Sequence, residues 1–83
     1  MFTDFITEEE DYILTLRFRP MTLEDVAALT GYSRQRVRLI EAGAMRALAA
    51  LGFDTDVVLG FYNPTMLERK RRAERGEPWT PVL

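Results

Sequence analysis

The sequence predicts an all-α protein, a small winged-helix-like helix-turn-helix bundle with a C-terminal helical extension. Three observations predict it: apolar residues recur at helical spacing, capping residues precede them, and glycine or proline follows them. Eighty-three residues suffice for one domain and leave little room for both a binding module and a catalytic cleft. We expect a helix-turn-helix domain over residues 1–52 and an extension over residues 53–83.

The first helix is predicted by a capping box. Thr7 and Glu10 have the spacing in which the threonine accepts from a first-turn amide while the carboxylate reaches back. The helix continues to about Phe18, because the residue before Pro20 avoids the helical region. Tyr12 and Phe18 are expected in the core. The acidic residues of the first turn are interpreted as a solvated helix start that suits the helix dipole, the alternative being a polymerase or DNA mimic.

A second capping box predicts a short helix next. Thr22 and Asp25 repeat the spacing of the first box and open a helix over Leu23–Thr30. Its apolar residues fall at i, i+3, i+4 and i+7, which places them on one face. Gly31 follows as a residue that readily adopts left-handed backbone at a helix end, and Ser33 can cap the next helix. The sequence therefore predicts two helices joined by a short turn.

The third helix is predicted over residues 34–51 and ends at Gly52, the position where helices favour glycine. Its residues divide into two faces. One face is polar or exposed and comprises Arg34, Gln35, Arg38, Leu39 and Ala42. The other is an apolar stripe that we expect to be buried, comprising Val37, Ile40, Ala44, Leu48 and Leu51.

An apolar segment of undecided conformation follows Gly52. Residues 56–62 fit either a short helix or an extended segment, because their apolar run has no clear period. Left in water together, these side chains would form a patch expected to bind something. We expect the segment 56–62 to fold back over the three-helix core. The alternative is that it forms an interface with a second copy of the chain or with another protein. The residues concerned are Val57, Val58, Leu59, Phe61 and Tyr62.

A charged helix is predicted after this segment. The Asn-Pro pair at 63–64 fits an N-cap and a first helical position, so the helix covers residues 65–75. Its basic run 69–72 is interpreted equally as a surface for phosphate or an acidic partner and as a solvated helix face. The tail 77–83 contains two prolines and is expected to be extended, with Trp79 either anchoring a partner or folding back.

Composition removes several classes of site. The chain has no cysteine and no histidine, which excludes disulfides, the usual zinc ligand sets, thiol nucleophiles and histidine acid–base chemistry. We therefore expect no catalytic residue, no metal, no cofactor and no enzymatic activity. Neither a signal peptide nor an apolar run long enough to span a bilayer is visible, so we expect a cytoplasmic protein without a membrane partner.

Charge is distributed unevenly along the chain. The formal net charge is −2, but residues 1–29 carry seven acidic residues against two arginines, a net charge of −5. Residues 30–51 carry four arginines against one glutamate, a net charge of +3, and the remainder is balanced. The third helix therefore offers a local basic surface able to bind phosphate on an acidic chain.

The two central helices have the features of a DNA-reading helix-turn-helix. The second helix of that motif enters the major groove N-terminus first, so its first turns must carry side chains that reach base edges and phosphates. Arginine pairs bidentately with guanine and glutamine with adenine. We therefore predict double-stranded DNA as a partner. The candidate residues are Arg34, Gln35, Arg36 and Arg38.

At this point the sequence resembles a known family. Residues 22–48, TLEDVAALTGYSRQRVRLIEAGAMRAL, closely resemble region 4 of sigma-70 factors, whose familiar form is TLEEIGxxLGVSRERVRQIExxALxKL. Residues 6–18, ITEEEDYILTLRF, resemble the preceding region-4 helix, LTxREREVLxLRF. The resemblance implies a sigma region 4-like fold, a role in transcription, docking at a −35-type promoter element and contact with the flap of RNA polymerase.

The resemblance also assigns roles by position. Family residues that read the major groove are matched by Arg34, Gln35, Arg38 and Leu39, and those that contact or approach the phosphate backbone by Arg17, Leu23 and Arg36. Gln35 replaces the usual glutamate, which accepts from cytosine, so the sequence read should differ. Leu39 replaces a glutamine and suits a thymine methyl or a protein. Gly43 replaces a frequently basic residue, and Glu41 is expected to make a structural contact within the chain.

Three hypotheses for the function remain. The leading one is a DNA-binding transcription factor. The alternatives are a protein-interaction module that binds RNA polymerase or a sigma factor without reading DNA, and a phage packaging or virion-associated protein. No segment resembles the sigma region that melts the −10 element. We therefore expect one of three kinds of protein: one half of a split sigma factor, which would act with a second sigma subunit; a small regulator that borrows or occupies the region-4 site; or a phage-type protein that adapted the fold.

Overall fold

The computed structural model describes residues 2–76, which form an N-terminal 3-10 turn and five α-helices. The turn is Phe2–Asp4, and the helices are α1 Glu8–Arg17, α2 Leu23–Thr30, α3 Arg34–Ala50, α4 Thr55–Tyr62 and α5 Pro64–Glu74. This part of the chain contains no strand, so it carries no β-wing, and the predicted all-α fold is confirmed. The predicted extended tail and Trp79 lie outside the described residues.

Side-chain hydrogen bonds fix where the first three helices begin. In the capping box of α1, Glu10 N donates to Thr7 Oγ1 at 3.1 Å, and Thr7 N donates to Glu10 Oε1 at 2.9 Å. Thr22 and Asp25 make the same two bonds at the start of α2, at 3.1 and 3.3 Å. Ser33 Oγ accepts from the amide three residues later at 3.1 Å and caps α3. All three predicted starts are confirmed, because each signal lies within four consecutive residues.

Glycines in left-handed backbone end α2 and α3. Gly31 has φ +79°, and Gly52 has φ +93°. At the second position, Gly52 N donates to the Ala49 carbonyl at 3.0 Å and Phe53 N to the Leu48 carbonyl at 3.1 Å, which is the bond pair of a Schellman motif. The reversal turns the chain back and sets Phe53 against the core beside Leu48.

We expect Gly31→Ala and Gly43→Ala to change stability in opposite directions. Alanine at Gly31 must adopt left-handed backbone, which costs about 1–2 kcal/mol even though no atom lies within 4 Å of an added Cβ. Gly43 lies inside α3, and the nearest atom to an added Cβ is a Glu10 carboxylate oxygen at 3.9 Å, so alanine should stabilise by about 0.5–1 kcal/mol. Thermal melting followed by circular dichroism measures both changes. Equal stability of Gly31→Ala and wild type would contradict the first expectation.

The core consists of two apolar clusters that meet at α1. The first cluster joins the N-terminal turn and the loop after it to α1, α3 and α4, through the buried residues Phe2, Ile6, Leu14, Ala44, Leu48 and Val58. The second cluster joins α1 to α2 and α3 through Ile13, Leu16, Val26 and Val37. Consecutive residues of α1, Ile13 and Leu14, enter different clusters. The helix-turn-helix and the extension are therefore packed against the same short helix.

The apolar segment after Gly52 is helical and folds back over the first cluster. The expectation that it folds back over the core is confirmed. Asp54 accepts from the Val57 amide at 2.9 Å and caps α4, a signal that the sequence analysis missed. Val58 is fully buried and Leu59 is 7% exposed. Val57 and Phe61 keep about half of their surface exposed, at 48% and 47%.

The junction between α4 and α5 is bonded to the first turn of α1 and to Phe18, the residue that follows this helix. The Tyr62 phenol donates to Asp11 Oδ1 at 2.6 Å, and its ring stacks on Phe18 with centroids 5.5 Å apart. Burial raises the pKa of Tyr62 well above its usual value, and the hydrogen bond to Asp11 adds to the rise. Asn63 Nδ2 donates to the Phe18 carbonyl at 2.7 Å, while Asn63 Oδ1 caps α5. These contacts fix the position of the extension.

Two residues predicted to be buried are not. Tyr12 is 49% exposed because it lies about 100° around α1 from Ile13, outside the arc that carries the buried side chains. Leu51 is 54% exposed because α3 ends at Ala50, so the helical stripe does not extend to it. Phe53, after the chain reversal, packs there instead. Phe18 is half-buried against the first cluster, as expected.

The N-terminal turn contributes to the core, which the sequence analysis did not predict. Phe2 and Ile6 are each 6% exposed. The Phe2 ring lies 5.1 Å from the ring of Phe53 and 4.6 Å from that of Phe61, measured between centroids. The apolar pair spaced four residues apart was the available signal.

Candidate nucleic-acid interface

The first turns of α3 present an exposed surface beside the start of α2. Arg34, Gln35 and Arg38 are exposed and line a groove together with Leu23. Leu39 follows Arg38 and has 58% of its surface exposed. We call these five residues the α3 surface. The structure thus brings together the four residues that the resemblance places in the major groove, next to one that it places near the backbone.

An exposed ion pair holds Arg34 in the free protein. Its Nη1 lies 2.9 Å from Glu24 Oε1 of α2, with the two side chains 66% and 75% exposed. Exposed pairs of this kind contribute only about 0–1 kcal/mol, because water and salt screen them. The pair therefore orients the Arg34 guanidinium across the groove but is weak enough to open when another partner binds the arginine.

Gln35 and Arg38 are bonded to each other. Arg38 Nη2 donates to Gln35 Oε1 at 2.7 Å, joining residues three positions apart on the exposed side of α3. The two side chains therefore form one polar unit in the middle of the α3 surface.

Arg36 belongs to a different flank of the helix. It lies about 200° around α3 from Arg34, and its guanidinium carbon sits 4.4 Å from the centroid of the Tyr32 ring. Its Nη2 lies 3.7 Å from Glu9 Oε2, which also accepts from the Tyr32 hydroxyl at 2.7 Å. This network ties the start of α3 to the start of α1. The predicted phosphate contact of Arg36 stays a prediction.

Arg17 braces α1 against α3. Its Nε donates to Glu41 Oε2 at 2.9 Å, and its Nη1 donates to the Met21 carbonyl at 2.6 Å. The two charged side chains are 26% and 27% exposed. The expectation that Glu41 makes a structural contact within the chain is confirmed. Arg17 also lines a hollow with Leu23 and Arg34, but its predicted phosphate contact is untested.

The basic run on α5 is partly paired within the chain. Arg72 Nε lies 3.0 Å from Glu68 Oε1, and the hydrogen bond from Arg72 lowers the pKa of Glu68. Lys70 Nζ donates to Asp56 at the start of α4, and that bond raises the pKa of Lys70. Lys70 also lies 3.8 Å from Glu74. Such pairs are typical of a solvated helix face.

Three residues of the interface region were missed by the sequence analysis. They are Glu9, Glu24 and Tyr32. Glu24 pairs with Arg34, Glu9 pairs with Arg36, and Tyr32 donates a hydrogen bond to Glu9. The pairs Glu24–Arg34 and Glu9–Tyr32 join residues 10 and 23 positions apart. No local pattern indicates contacts over such distances, because they arise from helix packing.

No helix within residues 2–76 is long and apolar enough to cross a membrane. Within that part of the chain, no group of three or more acidic, histidine or cysteine side chains is arranged to hold a metal ion.

Comparison with curated proteins finds relatives over the helix-turn-helix. A 50-residue stretch is 46% identical to RNA polymerase sigma factor SigA of Bacillus sp, covering 54% of this chain and 13% of that protein. It is 44% identical to RNA polymerase sigma factor SigA of Listeria monocytogenes, with the same coverage. The match therefore spans about an eighth of the length of these relatives. No solved structure matches the chain.

The family comparison agrees with the architecture. The family described as Sigma-70, region 4 matches residues 6–50, which run from the loop before α1 to the last residue of α3. This stretch contains the three helices that share the second cluster and all of the α3 surface. With more than half of its residues matched, the chain belongs to the sigma-70 region 4 family.

Proposed function

We propose that this chain binds double-stranded DNA through the first turns of α3 and acts in transcription by reading a −35-type promoter element. The observation that carries the proposal is the α3 surface, where Arg34, Gln35 and Arg38 line one groove with Leu23. The second helix of a helix-turn-helix enters the major groove N-terminus first, so this surface would meet the base edges.

The energies favour exchange of the internal contacts for DNA. Opening the exposed Arg34–Glu24 pair costs about 0–1 kcal/mol, whereas a bidentate arginine–guanine contact contributes about 1–3 kcal/mol of discrimination. Residues 30–51 carry a net charge of +3, which attracts the phosphate backbone although the whole chain is acidic. DNA therefore competes effectively with Glu24 for Arg34.

Phosphate contacts are proposed at the edge of the groove. Leu23 is the first residue of α2, at the end of the helix whose dipole favours a phosphate, although Glu24 and Asp25 in the same turn are acidic. Arg17 lines the hollow beside it and supports the same site. Arg36 is the third candidate, from the other flank of α3.

The protein partner is proposed from the relatives. They are named RNA polymerase sigma factors, and we propose that this chain likewise contacts RNA polymerase at its flap, with a second sigma subunit as the alternative. The proposal concerns region-4 activities only, because the chain spans 13% of the length of those relatives.

Salt-dependent DNA binding tests the main proposal. Fluorescence anisotropy with a labelled promoter duplex should give a dissociation constant that rises with salt. Neutralisation of two to four phosphates predicts that the logarithm of the association constant falls with the logarithm of the salt concentration with a slope of about −2 to −4. A duplex of scrambled sequence is the control and should bind more weakly at every salt concentration. Equal dissociation constants for the two duplexes would show that the chain does not recognise the promoter sequence.

One observation favours the interaction-module hypothesis. Leu39 is 58% exposed at the edge of the α3 surface, and an apolar side chain there suits a protein surface as well as a thymine methyl. Co-purification of the tagged chain with RNA polymerase after nuclease treatment tests this hypothesis. Recovery of polymerase together with failure to bind any duplex would establish the interaction module in place of DNA reading.

A further inference from the structure

The turn between α1 and α2 carries an arginine that has no partner inside the molecule. Arg19 is exposed, and within the described part of the chain its side chain forms no hydrogen bond or ion pair. Two other arginines line the hollow at the start of α2. Of these, Arg17 is paired with Glu41. The second, Arg34, is paired with Glu24. Arg19 therefore differs from both in having a charge that no contacting carboxylate neutralises.

The backbone of this turn is held on both sides of Arg19. Asn63 Nδ2 donates to the Phe18 carbonyl at 2.7 Å. Arg17 Nη1 donates to the Met21 carbonyl at 2.6 Å. Arg19 lies between these two bonded carbonyls, so the fold sets the place from which its side chain extends. The bond to Met21 also commits Arg17 to the inside of the molecule.

The turn leads directly to the phosphate site proposed at the start of α2. Thr22 is the N-cap of α2 and lines the hollow beside Leu23. Arg19 precedes Thr22 by three positions, so their Cα atoms lie within about 11 Å of each other. Phosphates recur along a DNA strand at about every 3.4 Å of helix axis. A side chain as long as arginine therefore reaches a phosphate at the start of α2 or its neighbour on the same strand.

The first turn of α2 repels phosphate as well as attracting it. Glu24 and Asp25 are acidic and oppose the favourable helix dipole. When Arg34 leaves Glu24 for a base, this carboxylate loses its partner and repels a nearby phosphate more strongly. Arg17 can offset the repulsion only by breaking its two internal bonds. Arg19 can offset it without breaking any bond within the described residues.

We propose that Arg19 binds a backbone phosphate of double-stranded DNA beside the start of α2. This inference rests on the proposed DNA binding. The resemblance to sigma-70 region 4 assigns a backbone contact to Arg17 and no role to Arg19, so the contact is inferred from the bonding of the two side chains. Phosphate contacts fix the position of a protein on the duplex and carry no sequence information. Arg19 therefore contributes affinity and orientation without a base preference.

The salt dependence of DNA binding by the full chain tests the inference. Anisotropy titrations of the promoter duplex at several salt concentrations compare wild type with variants of Arg19. Arg19→Gln loses one phosphate contact, so the slope of the log association constant against log salt should become less steep by about 0.9. Arg19→Lys keeps the charge and should keep the wild-type slope. Arg46→Gln removes an exposed arginine near the other end of α3 and should also keep it.

Two further measurements separate a phosphate contact from base reading and from a role in folding. The affinity of Arg19→Gln should fall by the same factor for the promoter duplex and for the scrambled duplex, because both present the same backbone. Its thermal melting should match that of wild type, because the exposed side chain has no partner within the described residues to lose.

The outcomes separate the inference from the proposed function. A wild-type slope in Arg19→Gln, or a loss of affinity confined to the promoter duplex, would overturn the phosphate contact. So would an Arg19→Lys variant whose slope matches that of Arg19→Gln, because the charge would then not be responsible. In each of these cases wild type still binds DNA and the proposed function stands. If wild type binds neither duplex, the proposed function itself fails.

Discussion

Val58→Asp should unfold the protein or lower its stability by at least about 3 kcal/mol. The side chain is fully buried in the first cluster against Leu14 and Leu48, and its burial contributes about 1.5–3 kcal/mol. A carboxylate in its place would also lack any partner, which costs several kcal/mol more. A domain of this size has little stability to lose. Circular dichroism during thermal melting measures the effect.

Val57→Asp is the matched control for this change. Val57 precedes Val58 in α4 but is 48% exposed, so little apolar burial is lost. A carboxylate in the first turn of a helix interacts favourably with the helix dipole, by about 0.3–1 kcal/mol. This variant should therefore melt within a few degrees of wild type. Similar melting of the two variants would show that α4 does not cover the first cluster in solution.

The parts of the fold that could be predicted from the sequence are those with local causes. Thr22 with Asp25, Ser33 and Gly31 each act through hydrogen bonds or backbone geometry within a few residues, so their spacing alone locates the helix boundaries. The position of Leu39 was predicted for a similar reason, because the period of α3 separates its buried and exposed faces.

The parts that could not be predicted depend on contacts between distant residues. The apolar run 56–62 does not itself indicate a helix, and the sequence analysis missed the local cap of Asp54; the side that α4 buries is set by the packing of Val58 against α1 and α3. Phe2 is buried where Phe53, Phe61 and Tyr62 return to it after the Gly52 reversal. The partners of the arginines on α3 likewise come from α1 and α2. Packing decided the burial of Phe2 and the partners of these arginines.

Replacement of both Arg34 and Arg38 by alanine should weaken binding to the best promoter duplex by at least about 2 kcal/mol, about 30-fold. Each arginine in contact with a base or phosphate contributes about 1–3 kcal/mol. Because the two lie one helical turn apart in the same groove, their losses need not add. Both side chains are exposed and, within residues 2–76, their hydrogen bonds are to Glu24 and Gln35 alone, so the fold should be retained. Anisotropy titration at one fixed salt concentration measures the loss.

Arg46→Ala separates base reading from loss of positive charge. Arg46 is exposed on the same helix, but it lies about 18 Å along α3 from Arg34, beyond the end that enters the groove. Removing it lowers the net charge of α3 by the same amount per residue as removing Arg34. If the α3 surface reads DNA, Arg46→Ala should weaken binding less than about fivefold, because a remote charge acts only through the screened field. Two results would show that the α3 surface does not read DNA. One is a double variant that binds the duplex as tightly as wild type, and the other is an Arg46→Ala variant whose affinity falls as far as that of the double variant.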